Sequence, residues 1–276
     1  MEKYTVLMSV YHKENVGYFR EAVESMIKQT YPPNEMVVVC DGPLTEELDL
    51  QIDRFDKKYP DLFKIVRLEQ NQGLGKALAA GLLECTNDLV ARMDTDDIAV
   101  PERMEWQISF MAEHEDISIV GGQIQEFNEI IENKLGCRYV AVEPDMVRKL
   151  AANKNPMNHM TVTFRKQHVL AAGNYQEYDR FEDYYLWARM LAKGYKLANL
   201  DRICVYARVN GAMYKRRAGW DYYRQTVKMQ KYLLEAGISN KKQYIRNLVV
   251  RFLGVVVVPN WLREKLYNNL MRRKAM

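Results

Sequence analysis

The amino-acid sequence predicts an α/β fold with a mostly parallel central sheet flanked by helices. Two observations support this prediction. Four short apolar segments alternate with amphipathic segments in the first third of the chain, and this alternation is typical of a right-handed, parallel sheet. The second apolar segment, residues 35–40, is apolar almost throughout, which is typical of a parallel strand covered on both faces. Ligands of such sheets bind beyond the carboxyl ends of the strands.

Each element follows from a local pattern. Phe19, Val23 and Met26 recur at helical spacing and predict a helix that ends before Pro32 and Pro33. Residues 128–160 carry no clear period, and no element is predicted there. The predicted strands are residues 5–11, 35–40, 63–68, 88–93, 160–164 and 203–208, with one or two more in 117–127. The predicted helices are residues 16–29, 45–59, 74–84, 101–114, 181–193, 220–236 and 241–253.

Charge divides the 276-residue chain into two parts. Residues 211–276 hold 15 Lys and Arg against three acidic residues, which leaves the remainder acidic because the net charge of the whole chain is +4. We therefore expect an α/β domain over residues 1–210, with halves at about 1–100 and 101–210, and a basic helical C-terminal extension over 211–276. The four cysteines form no CxxC pair, which predicts reduced thiols rather than a zinc site.

An acidic cluster follows the fourth predicted strand. Asp94, Asp96 and Asp97 place three carboxylates within four residues. Like charges this close repel one another and favour a bound cation. Oxygen ligands of this kind suit Mg²⁺ or Mn²⁺, which also bind substrate phosphates. The alternative is a helix N-terminus ahead of Pro101, where acidic residues interact favourably with the helix dipole.

A glycine-containing segment from Asn71 to Lys76 begins the third helix. It lacks the third glycine of a dinucleotide fingerprint and the spacing of a P-loop. We interpret it as a helix N-terminus that faces a nucleotide, with Lys76 near the base or phosphates. A solvated Lys76 is the alternative.

The chain resembles glycosyltransferase family 2, whose members have the GT-A fold. The matching segments occur in the family's order over residues 4–210, and the short length and "DGPLT" resemble bacterial exopolysaccharide and capsule enzymes. These segments are "VLMSVYHKE", "SMIKQTYPPNEMVVVCDGPLT", "NQGLGKALAAGL", "ARMDTDDIAVPERMEWQ", "NPMNHMTVTFRK" and "FEDYYLWARML".

The resemblance implies roles for residues on the donor side. Ser9 and Tyr11 would line the base and ribose pocket with Glu14 close by, although ordinary strand packing is an alternative for the first two. Asp41 would accept a hydrogen bond from the base, unless it only forms an Asx turn. Asp94 would contact the ribose, and Asp96 and Asp97 would hold the metal.

The resemblance also implies roles on the acceptor side. Asp183 would be the catalytic base of an inverting displacement, with a helix N-cap as its alternative. Glu182 would hydrogen-bond the acceptor sugar, and His159 would touch the donor phosphates or the acceptor. Arg208, together with residues 215–217, would close over the diphosphate on a loop, or would form a solvated charge run.

The basic extension contains the apolar segment 248–262, which is too short to span a bilayer and is flanked by Lys and Arg. This pattern predicts a segment that lies on an anionic membrane surface, with the contact extending over residues 241–276. Packing on the body or in a homodimer is the alternative. We expect no nucleic-acid partner, since no known nucleic-acid-binding motif accompanies the basic charge. The expected location is the cytoplasm, at the inner face of the cell membrane.

The sequence therefore predicts an inverting glycosyltransferase. The donor would be a nucleotide sugar, most simply UDP-linked, the metal Mn²⁺ or Mg²⁺, and the acceptor a surface glycan or lipid-linked oligosaccharide. Two alternatives stay open at this point. One is a nucleotidyltransferase of sugar phosphates, and the other is a non-catalytic sugar-binding or lipid-binding scaffold with the same fold.

Overall fold

A computed structural model describes residues 2–209 and 219–258. The N-terminal part of the sheet is parallel, as the sequence predicts. Its strands lie in the order β3-β2-β1-β4, and each neighbouring pair is parallel. All four carboxyl ends therefore point to the same edge of the sheet. The strands are β1 (Tyr4–Val10), β2 (Glu35–Cys40), β3 (Phe63–Arg67) and β4 (Leu89–Arg92).

Three helices connect these strands, and their beginnings follow local chemistry. Side-chain oxygens of Asn15 and Thr45 accept backbone N–H groups in the first turns of the first two helices, as N-caps do. The third begins after Gly73, whose positive φ of 87° suits glycine. The helices are α1 (Val16–Ile27), α2 (Glu46–Lys58) and α3 (Leu74–Glu84).

Beyond β4 the sheet becomes mixed. The short strand β8 lies antiparallel between β4 and β6, whereas the long strands β6 and β9 are parallel to each other. The second half adds the strands β5 (Ile98–Ala99), β6 (Ile117–Asn128), β7 (Ile130–Arg138), β8 (Thr163–Arg165) and β9 (Lys196–Arg208). Its helices are α4 (Arg103–Glu113), α5 (Pro144–Ala151), α6 (Lys166–Ala171) and α7 (Glu182–Ala192).

The predicted strand at residues 160–164 is shorter than expected. Its first part is a 3₁₀ turn, His159–Thr161. The Thr161 hydroxyl donates to the Asn158 carbonyl and accepts from the Gly122 backbone N–H, so it ties the turn to β6. Hydrogen bonding by the Thr side chain thus competes with extension of the strand.

Two hydrophobic clusters cover the two faces of the sheet. One includes α1, α2 and α4, and the other includes α3, α5 and α7. Met229 and Leu233 of the C-terminal extension belong to the second cluster, so the first helix of the extension packs on the α/β domain. Within residues 219–258, the extension forms α8 (Gly219–Glu235), α9 (Lys241–Phe252) and a π-helical turn, Leu253–Val257.

Polar contacts fix α9 to the body as well. The Asn247 side chain donates to the Ala152 carbonyl and to Gln230. Among residues 2–209 and 219–258, no helix is long and apolar enough to cross a membrane. The predicted loop cations at 215–217 and the end of the apolar segment, residues 259–262, lie outside the described residues.

Candidate active site

A cavity of about 1950 Å³ opens at the carboxyl ends of the parallel strands. It extends from the first loop after β1 to the N-terminus of α7. Among the predicted site residues that the structure describes, only Lys76 does not line it. The predicted residues that do are Ser9, Tyr11, Glu14, Asp41, Asp94, Asp96, Asp97, His159, Glu182, Asp183 and Arg208.

The acidic cluster forms one group at the floor of this cavity. One carboxylate oxygen from each of Asp94, Asp96 and Asp97 lies within 4.8 Å of the other two. Burial, then the charges of Asp94 and Glu14, raises the pKa of Asp96 to about 7. Burial and the neighbouring carboxylates raise the pKa of Asp97 well above its usual value. A divalent cation relieves this repulsion, and three oxygen ligands fit Mg²⁺ or Mn²⁺.

A buried arginine orients the first of these carboxylates. Arg92, the last residue of β4, forms an ion pair with Asp94. Its side chain is almost completely buried, and its Nε and Nη1 atoms have no hydrogen-bond partner among the described residues. A fixed guanidinium therefore neutralises part of the charge of the cluster from beneath.

Arg208 has a different position from the one that the sequence predicts. Its side chain does not lie on a loop but at the end of β9, where it is 7% exposed. Nε donates to the Asp96 carbonyl, Nη2 pairs with Glu21 at 2.7 Å, and the guanidinium lies 3.8 Å from the centre of the Tyr18 ring. The backbone N–H of Arg208 donates to Asp97 at 2.8 Å. Arg208 thus contacts the acidic loop through its backbone and its side chain, and its guanidinium is already engaged by Asp96, Glu21 and Tyr18.

Asp41 organises the loop before α3. Its two carboxylate oxygens accept the backbone N–H groups of Gln72 at 2.7 Å and Gly73 at 3.0 Å. Because each carboxylate oxygen has more than one lone pair, Asp41 keeps acceptor capacity toward the cavity. Lys76 instead forms an ion pair with Glu177 at 2.8 Å, and both side chains are largely exposed.

Glu14 connects the first loop to the acidic cluster. Its carboxylate accepts the hydroxyl of Thr95 at 2.5 Å and the backbone N–H of Asn15. Ser9 lies at the end of β1, half-buried, and Tyr11 is exposed just beyond it. The loop after β1 and the loop after β4 therefore form one continuous wall.

Asp183 lies across the cavity at the start of α7. Phe181 is the residue that precedes the helix, so Asp183 is not the N-cap. Its Oδ2 atom accepts the Asn155 side-chain amide at 2.5 Å, and Oδ1 accepts the Tyr184 N–H at 2.7 Å. These two hydrogen bonds fix the orientation of the Asp183 carboxylate at the cavity.

Glu182 and His159 border Asp183 in different environments. Burial, then the charge of Asp183, raises the pKa of Glu182. Burial and the charge of Arg92 hold the pKa of His159 well below 6.5, so the imidazole is neutral at neutral pH. Its Nε2 atom lies 3.0 Å from the Tyr175 hydroxyl, and its ring packs edge-on against Trp187. These contacts favour a structural role for His159 at the cavity wall.

The sequence did not identify Arg92 and Asn155 as residues of the site. Arg92 stands in a quoted motif, and a charged residue within an apolar strand was a signal that it is buried for a reason. Asn155 lies in the segment without a clear period, where no pattern identifies a residue that contacts Asp183.

The model of the glycosyl transferase family 2 matches residues 5–222 of this chain. The chain belongs to that family. It is 40% identical over 265 residues to the amylovoran biosynthesis glycosyltransferase AmsE of Erwinia amylovora, with 95% of this chain and 98% of that protein covered. The chain is 33% identical over 271 residues to an Escherichia coli protein named UDP-Gal:alpha-D-GlcNAc-diphosphoundecaprenol beta-1,3-galactosyltransferase, with 98% and 97% covered.

The fold is also that of solved glycosyltransferases. The crystal structure of S. aureus TarS 1-349 in complex with UDP-GlcNAc matches with a TM-score of 0.67 and 18% identity, covering 98% of this chain and 76% of that one. The likeness shows the GT-A fold. With the family established, this chain is a glycosyltransferase, which decides against the nucleotidyltransferase and scaffold alternatives.

Proposed function

We propose that this glycosyltransferase moves one sugar from a UDP-sugar to a hydroxyl of a lipid-linked acceptor, with inversion at the anomeric carbon. The observation that carries the proposal is that two separate acidic groups line one cavity. The cluster of Asp94, Asp96 and Asp97 forms one wall, and Asp183, held by Asn155, forms another. One wall suits a diphosphate with its metal, and the other suits the attacking hydroxyl.

The donor binds on the side of the acidic cluster. Ser9, Tyr11 and Asp41 form the base and ribose side of the pocket, with Asp94 toward the ribose. Asp96 and Asp97 would hold Mn²⁺ or Mg²⁺, which stabilises the negative charge of the departing UDP. Asp97 is almost fully buried and already accepts the Arg208 N–H, so Asp96 is the more accessible ligand.

The proton of the acceptor goes to Asp183. As the acceptor oxygen bonds to the anomeric carbon, the bond from that carbon to the β-phosphate oxygen breaks, and UDP leaves with both electrons. The acceptor hydroxyl transfers its proton to Asp183 in this single displacement. Asn155 positions the carboxylate, and Glu182 hydrogen-bonds the acceptor sugar. No second nucleophilic carboxylate is required, in contrast to a retaining glycosidase.

The name of a relative supports the proposed classes of donor and acceptor. The E. coli relative is named for a UDP-Gal donor and an acceptor sugar on diphosphoundecaprenol, and it aligns with this chain along nearly the whole length of both. An acceptor of that kind stays in a membrane, which agrees with the exposed apolar residues of α9. The proposal leaves the identity of the sugar to experiment.

Transfer to a synthetic acceptor tests this function. Purified protein is incubated with Mn²⁺, a panel of radiolabelled UDP-, GDP-, dTDP- and CMP-sugars and a GlcNAc-diphosphate-alkyl acceptor, and the product anomer is assigned by NMR. The proposal expects transfer from one UDP-sugar, dependence on the divalent ion, and inversion of the anomeric configuration. A product with the donor configuration, or transfer only from a sugar linked to another nucleotide, would contradict it.

A further inference from the structure

A cluster of three cations lines the same cavity, on segments of the chain other than the one that carries the acidic cluster. Arg138 ends β7, Lys154 follows α5, and Arg251 lies near the end of α9, and all three line the cavity. They come from separate segments of the chain and converge on the loop 153–158. Arg138 Nε donates to the Asn158 side chain at 2.9 Å, and Arg251 Nη2 donates to the Asn153 carbonyl at 3.2 Å.

The part of the chain that the structure describes provides these three cations with no ion-pair partner. None of the three forms an ion pair within residues 2–209 and 219–258. Burial, then the charges of Arg251 and Arg138, lowers the pKa of Lys154. Like charges that converge on a half-buried lysine are unfavourable unless an anion joins them. The cluster therefore has the composition of an anion site, with Arg as the residue suited to bidentate phosphate contacts.

The cluster is also close to the proposed base. Lys154 is adjacent in sequence to Asn155, and Asn155 donates to Asp183 at 2.5 Å. Lys154, Asn155 and Asp183 all line the same cavity, so the lysine belongs to the segment that contacts the proposed base. In a sugar that is linked through its anomeric oxygen to a diphosphate, one ring separates the diphosphate from the other hydroxyls, so an anion site beside the base suits that diphosphate.

We infer that Arg138, Lys154 and Arg251 bind the diphosphate that links the acceptor sugar to its lipid. The inference rests on the proposed function, since it assigns a site to the acceptor class proposed there. It also assigns a role to α9, because Arg251 of this helix would contribute to the acceptor site. The lipid would leave the cavity beside α9, where the Val255 side chain lines the cavity and Leu253 and Val257 are exposed.

Steady-state kinetics of the Lys154→Gln variant with two acceptors test the site. Lys154 is chosen because it is the cation with the fewest structural contacts, and the substitution removes its charge. We compare a GlcNAc-diphosphate-alkyl acceptor with the same sugar as a neutral alkyl glycoside. The expected result is a roughly tenfold higher KM for the diphosphate acceptor, as for the loss of one charge-assisted contact. The KM for the neutral acceptor and the rate of donor hydrolysis stay unchanged. Lys154→Arg restores the KM, and Lys149→Gln, an exposed lysine of α5, leaves it unchanged.

Direct binding separates this site from the proposed function and from membrane lipids. Calorimetry measures the binding of a soluble alkyl diphosphate to protein saturated with UDP and Mn²⁺, so it requires no transfer. Lys154→Gln should weaken this binding about tenfold and leave co-sedimentation with phosphatidylglycerol vesicles unchanged. Equal affinity of wild type and variant for the alkyl diphosphate would overturn the inference, as would a loss confined to vesicle binding. Absence of sugar transfer with normal alkyl diphosphate binding would instead contradict the proposed function.

Discussion

At the scale of single residues, Asp183 is the residue that we propose as the catalytic base. We predict that Asp183→Asn lowers kcat by about 10²–10⁴, since general base catalysis contributes that much, while the Kd for UDP stays the same. Asparagine keeps the shape of the side chain and removes only the proton acceptor. Steady-state kinetics and calorimetry check the two parts. Asp145→Asn, in the first turn of α5, is the control. A variant with normal kcat would mean that another group removes the proton.

Asp96 should determine how the protein responds to metal. In EDTA we expect Asp96→Asn to be more stable than the wild type, because it removes a buried charge that its neighbours repel. A gain of about 1 kcal/mol corresponds to a Tm that is about 2–4 °C higher for a chain of this size. Thermal unfolding with and without Mn²⁺ measures both effects. Wild type should gain stability on Mn²⁺ addition and the variant should not.

The control for Asp96→Asn is Asp61→Asn, an exposed acid. It should leave both the Tm in EDTA and the response to Mn²⁺ unchanged. If Asp96→Asn instead lowered the Tm in EDTA and kept the full Mn²⁺ response, Asp96 would have a structural role and the metal would be held elsewhere.

At the scale of elements, close packing of α3 on the sheet positions the loop that Asp41 organises. A Cβ atom at Gly81 would lie 2.6 Å from Leu7 Cδ1 and would also clash with Val39. We predict that Gly81→Ala destabilises the protein by about 1–3 kcal/mol, as overpacking of cores does. Urea unfolding measures this change. Gly254→Ala, where a Cβ meets nothing within 4 Å, is the matched control and should stay near neutral. Equal stability of the two variants would contradict the packing argument.

The sequence predicts the elements with strong local patterns and fails where contacts are distant. β1 to β4 and α1 to α3 follow from apolar runs and helical periods, and their predicted bounds agree with the structure to within a few residues. The antiparallel orientation of β8 was not predicted, because a strand of three residues has no sequence pattern that indicates its direction in the sheet. The bounds of β9 were underestimated, since its middle, Asp201 and Arg202, is exposed and polar.

The candidate site was also predicted only in part. The acidic cluster and Glu182–Asp183 were recognisable because their residues are consecutive in the chain. The contacts that fix them were not, since Arg208 and Asp97 are separated by 111 residues and Asn155 and Asp183 by 28. Arg208 in particular was predicted to move, and the structure makes it one of the most restrained side chains of the site.

At the scale of the whole molecule, the exposed face of α9 is the surface that we propose to lie on an anionic membrane. Five exposed aliphatic residues recur at helical spacing along α9 and the π-helical turn that follows it, and basic residues flank them, so apolar burial and charge act together. The aliphatic residues are Ile245, Val249, Val250, Leu253 and Val257, and the flanking cations include Lys241, Lys242 and Arg246.

The double variant Ile245→Glu, Val249→Glu tests this surface. We expect at least a roughly tenfold loss of co-sedimentation with phosphatidylglycerol vesicles, because each buried aliphatic side chain contributes about 1.5 kcal/mol or more. Leu50→Glu, on the exposed face of α2, is the control. Unchanged vesicle binding together with loss of a dimer in analytical ultracentrifugation would show that a second copy covers this face instead.

The central claim is metal-dependent binding of a UDP-sugar donor at the acidic cluster. Calorimetric titration of UDP into wild type and into Asp96→Asn, each with and without Mn²⁺, tests it most directly. We predict binding to the wild type that depends on Mn²⁺, and at least tenfold weaker binding to the variant, since a lost metal ligand also loses the phosphates that the metal holds. UDP binding of equal affinity with and without Mn²⁺, or in wild type and variant alike, would contradict the claim.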